Sequence, residues 1–331
     1  MAVPMDAADA SRRLLRRYIA QESIDLVRAA LAVAREEYPD LDEGKYLRLL
    51  DRLAEGVQTG LPAGATPERR VGRINTHLFH ELGFCGNHND YYDPRNSFLN
   101  EVLDRRTGIP LTLCIVYMEV GKRCGLNVEG VGFPGHFLCK VRLAEGELVV
   151  DPFHRGQLLG LDELKRRLAS AVGDQVKFDP RLLRAAKPRE ILVRMLQNLR
   201  SVYQGRNDFP RALSAVDRLL LLAPDNVRGL RERAQLYEQL GGSAAAAADL
   251  EKVLYLDPNA SDALVLTATA RRALPRPGAS PRSRRRPPRS RARTRRHPGT
   301  PPPSSRSRSC RGSRPCSRGS LRRARGRAAP P

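Results

Sequence analysis

Residues 96–157 read NSFLNEVLDRRTGIPLTLCIVYMEVGKRCGLNVEGVGFPGHFLCKVRLAEGELVVDPFHRGQ, and this stretch decides the fold. It predicts a helix, a turn, a second helix and then short strands, with Cys114, His136 and Asp151 in that order. Asn96 or Ser97 is placed to cap the first helix, which runs through Arg106 and closes at Gly108. Pro110 opens the central helix, and Gly125 stops it. Strand character returns at 128–131, 137–141 and 148–150, the last two separated by a turn at Glu145-Gly146. A thiol near a helix start, followed by an imidazole and a carboxylate at strand ends, is the order of a cysteine-nucleophile site.

Working outward, residues 8–58 carry apolar positions at helical spacing: Leu14, Leu15 and Ile19, then Ile24, Val27 and Leu31, then Tyr46, Leu49, Leu50 and Leu53. Breaks fall at Tyr38-Pro39-Asp40 and at the Gly60–Gly64 loop. Thr66 and Pro67 mark the next helix start, whose stripe Val71, Ile74, Leu78, Phe79, Leu82 ends at Gly83. GFCGNHNDYYDPRN (83–96) reads as a loop with two tyrosines. Helices followed by a small antiparallel sheet make an α+β plan, with a helical part over 1–82 and the core proper over 83–180.

From 188 to 274 the pattern becomes a repeat. Pro224 and Pro258 are 34 residues apart, the tetratricopeptide period. Leu196 matches Leu230, Tyr203 matches Tyr237, Ala212 matches Ala246 and Val216 matches Leu250. A third helix is expected over 261–273. Two repeats are fewer than such arrays need alone, so they should lean on the preceding domain.

The net charge of +22 belongs to one end of the chain. Residues 275–331 hold 19 arginines, no lysine and no acid; removing those 19 from 58 Lys and Arg leaves 39 against 36 acids. The body is nearly neutral. The Arg/Pro/Ser/Gly tail cannot bury enough surface to fold and is expected to be disordered. It could neutralise phosphates, but it has no aromatic residue to stack on bases, so nucleic-acid binding is a distant alternative. No stretch approaches a membrane span, and the first twenty residues hold no apolar run of secretory length. Six cysteines without CxxC spacing fit reduced thiols in the cytoplasm.

The blocks NSFLNEVLDRRTGIPLTL, VGFPGHFLCKV and VVDPFHRG resemble the SirB-type transglutaminase-like domain, of the papain-like superfamily, which bacteria often fuse to C-terminal tetratricopeptide repeats. The resemblance spans roughly 15–265 and implies a transglutaminase-like core with His136 and Asp151 at the family's His and Asp positions. In active members the cysteine opens the helix, which here falls at Pro110 or Leu111. Cys114 lies about one turn later, a displacement of about 5 Å along the axis.

Two functional readings follow. In the first, an enzyme-like core binds without cleaving, and the repeat groove takes a protein or peptide. Cys114, with Leu113, Tyr117 and Val120, is then a small hydrophobe of the core. In the second, a cysteine amidase, peptidase or acyl-transferase uses Cys114 as nucleophile, His136 as base and then acid, and Asp151 to orient it. Neither needs a cofactor or a metal. His77, His80, Cys85 and His88 match no standard zinc spacing. Cys85 is a weaker nucleophile candidate in an open loop. The glycines of 130–135 lead into a strand, not a helix, and so are no phosphate cradle.

Overall fold

The computed structural model describes residues 5–261 and 263. The third repeat helix, past its first residues, and the whole basic tail with Cys310 and Cys316 lie outside the described residues.

Three helices open the chain: α1 (Met5–Ile19), α2 (Leu26–Ala34) and α3 (Glu43–Thr59). The nine residues of α2, LVRAALAVA, are apolar on every face but one, and eight are buried. Such a helix must be enclosed, and α2 packs against α1, α5 (Leu99–Arg105), α6 (Pro110–Arg123) and α8 (Pro188–Gly205). Asp25 caps it, accepting a bond from the Arg28 N–H at 3.0 Å. Thr66 caps α4 (Pro67–Asn75) in the same way. The stripe that reads as one helix to Gly83 does not stay α-helical. Thr76–Glu81 is a π turn, and the Leu82 N–H reaches back five residues to the His77 carbonyl. Within this turn Phe79 stacks on Tyr117 of α6, with ring centroids 6.2 Å apart.

The helix start expected at Asn96 or Ser97 also moves. Pro94–Ser97 is a 3-10 turn, and Phe98 occupies the cap position of α5 without a side-chain cap. Asn96 is fully buried and staples the preceding loop: its Nδ2 donates to the carbonyls of Asp90 and Tyr91, and its Oδ1 accepts from Asn87. The oxygen that would accept a helix N–H is taken by the Asn87 amide instead. A two-residue parallel ladder, β1 (Cys85–Gly86) with β2 (Thr107–Gly108), ties the loop to the start of α6.

The main sheet is antiparallel throughout, in the order β3 (Asn127–Val131), β4 (Leu138–Arg142), β5 (Glu147–Asp151), β6 (Gln157–Leu159). Strand alternation gives it two apolar faces. Cys139, Val141 and Val150 join the main core under α6, which is buried over its whole first half. Val131, Leu138, Val149 and Leu159 form a second core with Leu164 and Leu168 of α7 (Leu161–Val172). The sequence reading assigns no element to β6 or α7.

Two helical hairpins complete the described chain: α8 with α9 (Phe209–Leu222), and α10 (Val227–Gln239) with α11 (Ser243–Leu256). Ala212 and Ala246 are fully buried where the helices approach, and Tyr203 is buried beside the first. The repeats do lean on the preceding domain, since one apolar core runs through both. Polar bonds cross the same junction. Arg211 pairs with Glu37 at 2.7 Å, Arg12 with Asp217 at 3.2 Å, and the buried Arg218 with the buried Glu36 at 3.2 Å.

Candidate functional site

The expected His and Asp meet. Pro134-Gly135 makes a tight turn with Gly135 at φ +71°, closed by a 3.0 Å bond from the His136 N–H to the Phe133 carbonyl. His136 therefore sits in the turn two residues ahead of β4 and not at the strand's first position. Asp151 is the last residue of β5, and Pro152–His154 follows as a 3-10 turn. The His136 Nε2 lies 3.0 Å from Asp151 Oδ1. An ionised carboxylate only accepts, so this nitrogen carries the proton.

Asp151 has further partners. Its side chain accepts the backbone N–H groups of Phe153 (3.1 Å) and His154 (3.4 Å), the usual capping role at a turn start. The His154 Nδ1 donates to Oδ2 at 2.7 Å, and Arg167 of α7 pairs with the same oxygen. Arg167 is itself held by Glu163 at 2.9 Å. Complete burial raises the Asp151 carboxyl. The bond and charge of His136, with Arg167 and His154, outweigh it and hold the group well below the usual carboxylate range. His154 and Arg167 are the site residues that sequence reasoning misses.

Beneath His136 lies Phe153, with ring centroids 5.9 Å apart, and His88 and Tyr91 pack on the same ring at 4.6 and 6.1 Å. A Cβ on Gly86 would stand 2.5 Å from Phe153, so only glycine lets the β1 backbone come this close. Tyr91 and Tyr92 are exposed at 43% and 68%, which makes this edge aromatic and open.

Cys114 is elsewhere. It is fully buried in the fifth position of α6, and its thiol donates to the Phe137 carbonyl at 3.4 Å. Cys139 donates in turn to the Cys114 carbonyl at 3.6 Å. Burial, reinforced by Cys139, pushes the Cys114 thiol well above its ordinary range. The helix opens with Pro110 and Leu111, both buried. Asp151 lies in register with Val149, on the face covered by α7, whereas Cys114 packs against Cys139 on the α6 face.

The histidines weighed for metal do not gather. His77 pairs with Glu81 at 2.7 Å, and His88 packs edge-on against Phe153. Cys85 is half-buried, its sulfur 3.8 Å from the Thr107 hydroxyl. The group that does converge is His136, Asp151 and His154, whose ligand atoms lie within 4.8 Å of one another. Two features argue against an ion cage. Arg167 already puts a positive charge on Asp151, and the two imidazole nitrogens address different carboxylate oxygens.

Fold and site together define a transglutaminase-like domain followed by tetratricopeptide repeats. Residues 44–197 match the transglutaminase-like superfamily, and 199–271 match the tetratricopeptide repeat. The chain belongs to the UPF0162 family. It is 41% identical over 241 residues to a UPF0162 protein of Xylella fastidiosa, covering 72% of this chain and 86% of that one. A UPF0162 protein of Pseudomonas aeruginosa is 32% identical over 248 residues, 75% of this chain and 90% of the relative. F-box only protein 21 of mouse is 31% identical over 179 residues, 51% of this chain and 28% of that protein. No helix among the described residues is long and apolar enough to cross a membrane.

Proposed function

We propose that this chain is a protein-binding scaffold or regulator whose transglutaminase-like core recognises without forming a covalent intermediate. One observation carries the reading: the Cys114 thiol is spent on the Phe137 carbonyl inside the core, while His136 and Asp151 face each other without it. Burial that raises a thiol's pKa removes the thiolate a nucleophile needs. The His–Asp pair then serves as a rigid polar post beside the aromatic edge. The repeats supply the groove for a protein or peptide partner, as their match to the tetratricopeptide family suggests. Scattered free cysteines favour the cytoplasm, and the SirB-type likeness belongs to the same reading.

The second reading keeps a cysteine amidase, peptidase or acyl-transferase, and the intact His136–Asp151 pair favours it. Incorporation of a fluorescent primary amine into a glutamine-containing protein separates the two. The scaffold reading expects no signal that depends on Cys114. Turnover abolished by Cys114→Ala in a folded variant would overturn it.

A further inference from the structure

Between the core and the first repeat helix lies a cavity of about 330 Å³, lined by Gly132, Phe137, Leu182, Arg184, Arg194 and Gln197 among others. Its volume is at the small end of ligand sites, enough for one or two residues of a peptide. Arg194 reaches into it from α8. The guanidinium lies over the Phe137 ring at 5.3 Å and gives one N–H to the His136 carbonyl at 2.7 Å. Nη1 faces Gly132, where an added Cβ would stand 3.5 Å away.

The other arginines on the cavity wall are committed. Arg184 is forked onto Glu190 at 2.9 and 3.0 Å, and Arg181 is paired with Asp179 at 2.5 Å. Among the described residues Arg194 has no carboxylate within ion-pair reach, although it is largely withdrawn from water. Desolvation lowers its pKa, the mark of a cation short of counter-charge. A largely buried guanidinium whose direct contacts are a carbonyl and a ring is costly to keep, and a carboxylate presented from outside would relieve that cost.

We infer that this cavity is a carboxylate-binding site in which Arg194 holds the anion and Phe137, Leu182 and Ala186 hold a small apolar group attached to it. A single uncommitted guanidinium matches one negative charge better than the two of a phosphate. The wall is half apolar, from Phe137, Leu182 and Ala186, which suits an amino-acid side chain next to a peptide's terminal carboxylate; the carboxylate of Glu190 also lines it but is held by Arg184. The site goes beyond the scaffold reading, because a catalytic core would contain the same cavity.

Saturation-transfer NMR on the full chain tests it, with N-acetyl-leucine at millimolar concentration as probe and N-acetyl-leucinamide and inorganic phosphate as comparisons. N-acetyl-leucine is expected to receive saturation while the amide does not. Arg194→Gln should weaken binding at least about tenfold, the loss of a charge-assisted bond. Gly132→Leu fills the cavity while leaving the charge, and should abolish binding in a protein with an unchanged unfolding midpoint. Equal signals from acid and amide, full binding by either variant, no signal from the wild-type protein, or displacement by equimolar phosphate would each overturn the assignment.

Discussion

The Cys114 thiol and the Phe137 carbonyl are joined by a 3.4 Å hydrogen bond inside the core, one residue along the chain from His136. The central helix is thus tied through the sulfur to the residue that leads into β4, and the imidazole is left to the carboxylate of Asp151. A side chain that reads as a nucleophile in order, though one turn late in spacing, acts instead as a packing and bonding element.

Asp151 should govern acid stability. Its folded-state pKa is depressed, so its contribution is present above the ordinary carboxylate pKa of about 4 and is lost as pH falls below it. Asp151→Asn should lower stability near neutral pH by about 1–3 kcal/mol, since it weakens the bonds from His136, His154 and Arg167, although Glu163 still holds Arg167. It should also flatten the acid limb. Urea midpoints of both proteins between about pH 3 and pH 7 check this; parallel curves would contradict it.

Glu36, two residues past α2, and Arg218 of α9 are each 3% exposed and pair with one another, and Arg218 also donates to the Val33 carbonyl of α2 at 2.8 Å. Glu36→Leu alone leaves a buried guanidinium and should cost about 3–5 kcal/mol. The double variant Glu36→Leu, Arg218→Met should recover most of that loss. Denaturant unfolding of the two singles and the double gives the coupling directly. Additive losses would mean that the pair is not the unit holding the repeats to the core.

Asn96→Ala should free the tyrosine loop. Removing the amide unpairs the Asp90 and Tyr91 carbonyls and the Asn87 amide, at about 1–3 kcal/mol. Hydrogen exchange over 87–93 should speed up far more than over α6. A uniform change across the protein would show that Asn96 supports the whole fold rather than its loop.

His136 and Asp151 were legible because proline and glycine announce the turns that present them. The 34-residue echo of Tyr203 in Tyr237 likewise announced the repeats. His154 lay in view three residues after Asp151, but nothing in VVDPFH says that its ring turns back to the same carboxylate. Arg167 had no local signal, because its partner is sixteen residues away on another element. The stripe Leu161, Leu164, Leu168 of α7 was readable, whereas the three-residue β6 is too short to show alternation. Asn96 misled by type, since a residue that caps helices also bonds loop carbonyls, and only burial decides which. The burial of Cys114 was legible in the apolar face Leu113, Tyr117 and Val120 that it shares, whereas its bond to the Phe137 carbonyl depends on how the sheet packs on α6, which no single stretch encodes.

Iodoacetamide labelling of the folded chain between pH 5 and 9, with each modified cysteine identified by mass spectrometry, tests the central claim most directly. The half-buried Cys85 should react first, and Cys114 should stay unmodified until the protein unfolds. Rapid labelling of Cys114 below neutral pH, lost in His136→Ala, would reveal an activated thiolate and contradict the scaffold account.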